Sequence, residues 1–168
     1  MNNSKLSIGT VQFGMQYGVA NNLKKTDVRH VVKILDTAHK EGINALDTAP
    51  IYGNSEVVLG EALCGQNWNI TTKIPPCEED VVSASYLKTI KKSLCHSLLS
   101  LGVQIVDGLL VHNCDDLFKP GGRDIFFELK KLQSLGLIKK IGVSVYTKDQ
   151  ILRVLDNFDI DLIQLPIN

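Results

Sequence analysis

The stretch Ile43 to Gly53, I-N-A-L-D-T-A-P-I-Y-G, decides how this chain is read. It begins as an apolar strand and ends in a loop carrying an acid and a phenol, Asp47 and Tyr52. An acid at the end of a buried strand costs free energy unless it has a partner. Two later strands end in the same way, N-I-T-T-K on Lys73 and G-L-L-V-H-N on His112. Four ionisable groups thus stand at or just beyond three strand ends, and a helical pattern follows each strand. In a parallel α/β barrel all strand C-termini open onto one mouth, where active sites are built. The chain order Asp, Tyr, Lys, His is the main functional signal.

Outward from that stretch the same alternation continues. Upstream, Leu6 to Phe13 reads as a first buried strand and Gly14 to Lys25 as a loop with turn-forming glycines and asparagines. Thr26 is placed to cap a helix whose Val28, Val31, Val32, Leu35 and Ala38 share one face, closed by Gly42. The second strand is Ile43 to Ala49. Downstream, Asn54 or Ser55 opens a helix running to Leu63 and closed near Gly65. Asn69 to Ile74 is the third strand, stopped by Pro75-Pro76. Ser83 caps a third helix with a stripe of Leu87, Ile90, Leu94, Leu98 and Leu101, ended by Gly102. Val106 to His112 is the fourth strand, and 113–122 is polar and Gly/Pro-rich, hence a loop. A fourth helix carries Ile125, Leu129 and Leu132 inward and ends at Gly136. Lys139 to Val145 is the fifth strand. Thr147 and Gln150 have capping-box spacing for a fifth helix with Ile151, Leu155 and Phe158 inward. Asp161 to Ile167 is the sixth strand.

Six strands alternating with five helices imply a parallel sheet with right-handed crossovers. An open doubly wound sheet and part of a (β/α)8 barrel both fit. No G-x-G-x-x-G follows the first strand, so a dinucleotide-binding open sheet would lack its phosphate loop.

Composition narrows the class further. A chain of 168 residues with 44% hydrophobic and 21% charged residues has the makings of one globular domain with a real core. A net charge of zero without a long basic run argues against nucleic acid and anionic membranes as partners. The start, M-N-N-S-K-L-S-I-G-T, has no signal-peptide core, and no apolar run reaches membrane-spanning length. A cytoplasmic protein is expected. Cys64, Cys77, Cys95 and Cys114 form no C-x-x-C pair, so they read as reduced thiols rather than a metal site. Cys114 stands out because it lies two residues past His112.

The ordered set G-T-V-Q-F-G, A-L-D-T-A-P-I-Y-G-N-S-E, T-T-K, V-D-G-L-L-V-H-N, I-G-V-S and Q-L-P-I-N resembles the aldo-keto reductases along essentially the whole chain. The resemblance implies a TIM barrel that reduces a small aldehyde or ketone with NADPH or NADH. By matching position it implies a catalytic tetrad of Asp47, Tyr52, Lys73 and His112. It places Ser144 and Gln164 on the nicotinamide carboxamide, Gly9 and Thr10 against the nicotinamide-side ribose and phosphate, and Asp47 within reach of the ribose. Many members carry asparagine after the serine, where this chain has Val145, so one carboxamide contact is either absent or made by backbone. No metal is implied.

The residue types suit that chemistry. Carbonyl reduction puts a hydride on carbon and a proton on oxygen. A phenol can give the proton, but its reference pKa is about 10. A neighbouring ammonium favours the phenolate, so Lys73 is expected to lower the Tyr52 pKa while Asp47 holds and neutralises Lys73. His112 is expected to orient the carbonyl. Taken singly, each of the four has a plainer reading: a loop acid, a turn aromatic, a solvated lysine, a satisfied core histidine. Their recurrence at successive strand ends favours the joint one. Tyr17 and Tyr146, close to strand ends, are candidates to line a substrate pocket. Trp68 falls before the third strand, at the opposite end of the barrel, and reads as packing.

A TIM barrel typically takes roughly 250 residues. The expectation is one aldo-keto reductase-like domain over 1–168, two β/α units short of eight, with strands one and six left as open edges. Loops late in such barrels commonly hold phosphate, so the choice between NAD and NADP would lie outside this chain. A truncated remnant or interaction module without catalysis is the alternative to an active reductase.

Overall fold

The computed structural model describes residues 5–18, 25–63 and 65–167. Its centre is one sheet of six parallel strands in sequence order, curled into an incomplete (β/α)8 barrel. The strands are β1 (Ile8–Gly9), β2 (Ala45–Asp47), β3 (Asn69–Ile74), β4 (Val106–Val111), β5 (Ile138–Ser144) and β6 (Leu162–Gln164). Every strand pairs with the next one in the chain. Among the described residues, β1 and β6 each have a strand neighbour on one side only.

Among the described residues six α-helices, not five, lie between the strands: α1 (Val11–Gly14), α2 (Val28–Lys40), α3 (Ser55–Ala62), α4 (Ala84–Leu101), α5 (Arg123–Ser134) and α6 (Lys148–Leu155). The additional one comes from the expected first strand. That strand is only two residues long, because Phe13 N–H turns back to the Thr10 carbonyl and V-Q-F-G closes a helical turn. The polar loop after β4 also contains order, a 3-10 helix over Cys114–Phe118 opened by the Asn113 side chain.

Local chemistry accounts for most boundaries. Ser83 Oγ accepts from the Tyr86 N–H at the start of α4, and Gly102 at φ +68° ends it. Thr147 and Gln150 make both halves of their capping box. Asp27 rather than Thr26 caps α2, accepting from the Arg29 N–H, because a carboxylate reaches the first free amides. In α6 the inward residue is Val154, fully buried, whereas Leu155 is half exposed. Val154 stands three residues past Ile151 and four before Phe158, the spacing of one helix face.

Side chains alternate across each strand. Leu46, Ile70, Leu109, Val111, Ile141 and Val143 face the helices and join the main core with Leu35, Leu59, Ile90, Leu94, Ile125 and Leu129. The opposite parity lies inside the curl, where Asp47, Lys73, Leu110, Ser144, Leu162 and Gln164 line two adjoining cavities. α3 and α4 meet closely at Gly60, where a methyl group would come within 2.1 Å of the Ser100 carbonyl oxygen. Cys77, Cys95 and Cys114 are free thiols, the first and last buried; Cys64 lies outside the described residues. Among the described residues no helix is long and apolar enough to cross a membrane.

Candidate active site

The inward parity delivers the polar residues to one end of the sheet. Asp47 is the last residue of β2, Lys73 the penultimate residue of β3, Ser144 and Gln164 the last residues of β5 and β6. His112 follows β4 directly, and Tyr52 sits in the turn between β2 and α3. All six line one cavity of about 250 Å³, together with Val145, Tyr146, Leu165 and Pro166. Tyr146 therefore belongs to this mouth. Tyr17 is not among the cavity residues but is near enough to act electrostatically on Tyr52.

Lys73 is the centre of the charge arrangement. Its side chain is 2% exposed, and Nζ lies 2.7 Å from Asp47 Oδ1. The ammonium also donates to the Thr48 carbonyl at 3.0 Å. A buried ammonium is tolerated only when paired and hydrogen-bonded in this way. The same Nζ stands 5.1 Å from the centre of the Tyr52 ring. The His112 ring meets Tyr52 edge-on, with centroids 6.3 Å apart. His112 Nδ1 is buried without a hydrogen-bond partner among the described residues.

The electrostatics correct one expectation. Tyr52 is not acidified: burial, then the Asp47 carboxylate, then Tyr146 and Tyr17, push its phenol up to about 12. The Lys73 charge is largely offset by Asp47 at contact distance, and desolvation penalises a phenolate. At neutral pH Tyr52 is thus fully protonated, the form a proton donor must start from. The His112 pKa is lowered, first by burial and then by Lys73, with Asp47 opposing. Burial pushes the Cys114 thiol up to about 11, which disfavours the thiolate at neutral pH.

The lowered His112 pKa has a consequence for stability. In the unfolded chain the imidazole gains its proton near 6.5, whereas the folded protein resists it. The unfolded state therefore binds more protons below that pH, and stability falls as pH drops below about 6.5. In His112→Gln that component should vanish. Melting temperatures of both proteins between about pH 7.5 and 5.5 check this; equal slopes would refute it.

The positions implied for a nicotinamide dinucleotide divide into two groups. Ser144 Oγ donates to Gln164 Oε1 at 3.3 Å, which leaves the Gln164 amide N–H groups as donors beside the cavity. Gly9 is exposed, and a methyl group built there would meet nothing within 4 Å, so a ligand can approach its backbone. These residues fit a carboxamide and a ribose-phosphate edge. Thr10 and Val145 offer less. Thr10 is fully buried, with its hydroxyl donating to the Asp47 carbonyl at 2.9 Å. The Val145 N–H donates to the Gln164 carbonyl at 2.9 Å, so that donor is already engaged within the sheet.

Sequence reasoning passed over a set of buried polar residues behind the mouth. Ser55, Thr48 and Thr72 are fully buried, and Glu56 is 5% exposed with Oε1 accepting from Thr72 Oγ1 at 2.7 Å. The nearest signal was their position, since Ser55 and Glu56 close the A-L-D-T-A-P-I-Y-G-N-S-E motif.

A family model described as the aldo/keto reductase family matches residues 5–168. The 6-dehydroglucose reductase of Novosphingobium aromaticivorans is 31% identical over 167 residues, an alignment covering 90% of this chain and 52% of that protein. The NADH-specific methylglyoxal reductase of Escherichia coli is 30% identical over 148 residues, covering 76% of this chain and 44% of the relative. The chain thus spans about half the length of these relatives. The crystal structure of an aldo-keto reductase from Pseudomonas aeruginosa superposes with a TM-score of 0.76 at 32% identity, over 95% of this chain and 61% of that one. With the family model spanning nearly every residue and the sheet superposing on that of a solved relative, the chain belongs to the aldo/keto reductase family.

Proposed function

We propose that this chain carries the reducing mouth of an NADH- or NADPH-dependent reductase that converts an aldehyde or ketone to an alcohol, with Tyr52 as proton donor. One observation carries the reading: the Lys73–Asp47 ion pair lies beneath the Tyr52 ring, with His112 edge-on to that ring in the same cavity. When bound, the reduced nicotinamide supplies the hydride to the carbonyl carbon. The residues do the rest. His112, kept neutral, orients the carbonyl oxygen toward Tyr52. Tyr52 gives its proton as negative charge develops on that oxygen. Lys73 stabilises the phenolate left behind, and Asp47 holds Lys73 in place. Ser144 and Gln164 fix the carboxamide, and Gly9 leaves room for the ribose and phosphate.

The names of two relatives supply the substrate class to test first, a sugar-derived or α-dicarbonyl compound. Absorbance of the reduced nicotinamide is followed with methylglyoxal and with an oxidised hexose, using NADH and NADPH in turn. Consumption that depends on the carbonyl supports the reading. No consumption, with neither nucleotide bound, favours a second one, a half-barrel that keeps the residues but holds no dinucleotide.

A further inference from the structure

We propose that Gly14 and Ser55 are positioning residues that fix the turn presenting Tyr52, acting from behind the mouth without touching its contents. The proposal rests on the reading of Tyr52 as proton donor. Two independent contacts carry it. The first is steric. α1 lies against the Tyr52 turn so closely that a methyl group on Gly14 would fall 1.7 Å from the Tyr52 carbonyl oxygen and 2.5 Å from the Ser55 nitrogen. From the other side, Gly53 at φ +63° brings its own backbone against Gly14; a methyl group there would meet the Gly14 oxygen at 2.5 Å. No side chain fits between these backbones unless the turn moves.

The second contact is a run of buried hydroxyls, each with one hydrogen to donate. Thr10 Oγ1 donates to the Asp47 carbonyl at 2.9 Å. Ser55 Oγ donates to Thr10, whose carbonyl oxygen and Oγ1 both lie at 2.9 Å. Thr48 Oγ1 completes the run at 3.3 Å from Ser55 Oγ. Ser55 also donates its backbone N–H to the Tyr52 carbonyl at 3.2 Å. One residue therefore ties the Tyr52 turn to the strand end that carries Asp47, the partner of Lys73. Proton donor and ion pair are held in one frame, and a small displacement of the donor costs rate steeply.

The test compares wild type, Ser55→Ala and Gly14→Ala. Steady-state kinetics give kcat and KM for a carbonyl substrate, and NMR of ring-labelled tyrosine follows the Tyr52 titration. In both variants kcat should fall about tenfold or more, KM should change little, and the Tyr52 pKa should move from about 12 toward 10 as the ring leaves its desolvated site. If Gly14→Ala does not fold, Ser55→Ala, which deletes one oxygen, decides alone. A lowered melting temperature with kcat and the Tyr52 titration unchanged would overturn the proposal. Wild type without turnover, but with the titration shifted in the variants, would remove Tyr52 as donor and leave the positioning role standing.

Discussion

Replacing Tyr52 with phenylalanine is expected to lower kcat by about 10²–10⁴-fold, the usual worth of a placed general acid, and to leave KM and the neutral-pH melt nearly unchanged. The substitution removes one oxygen and keeps the ring, so the contacts with His112 and Lys73 persist. The loss should fall on the chemical step, because the hydroxyl matters most once charge develops on the substrate oxygen. A second signature appears in alkali. Tyr52 titrates near 12 when folded and near 10 when unfolded, so its contribution to stability is complete below about 10 and disappears as pH rises toward 12. The phenylalanine protein should lack that component of alkaline destabilisation. Turnover equal to wild type would remove Tyr52 from the mechanism.

Asp47→Leu should cost about 3 kcal/mol of stability, at the low end for breaking a buried pair, because the Asp47 carboxylate is 22% exposed and its loss is partly screened. The penalty comes from the partner left behind. Lys73 is almost fully enclosed and, among the described residues, would keep the Thr48 carbonyl as its one remaining acceptor. Urea midpoints of wild type, Asp47→Leu, Lys73→Met and the double variant measure this as a cycle. The double variant should be more stable than Asp47→Leu alone, since no unpaired charge remains. Additive losses would mean that the two side chains do not depend on each other. Activity should fall in all three variants.

What could be read from residues alone follows the physics of each signal. β3 was legible to the residue, because N-I-T-T-K-I is bounded by a polar turn and by two prolines. The cap of α4 and the capping box of α6 were equally clear, since they rest on local hydrogen bonds. G-T-V-Q-F-G was not, because a short apolar run has no period to separate strand from helical turn. The convergence of Asp47, Tyr52, Lys73 and His112 on one cavity was legible through their recurrence at strand ends, yet the direction of the Tyr52 pKa was not. That direction depends on how far Asp47 neutralises Lys73 and how dry the ring is, and both are properties of three-dimensional packing. Ser55, Thr48 and Glu56 escaped for a related reason. Polar residues in a loop or in the first turn of a helix read as solvated until the backbone that encloses them is seen.

The chain's single tryptophan lies at the foot of β3, with His39 tilted over it at a centroid distance of 5.7 Å. Six residues of strand, about 20 Å, separate that indole from the Lys73 end of the sheet. Intrinsic emission is therefore an optical gauge of the far pole of the molecule. An oxidised nucleotide in the mouth would leave it nearly dark to binding, while a reduced one, absorbing where indole emits, would quench it through space. The two redox states of the same ligand can thus be told apart without any added label.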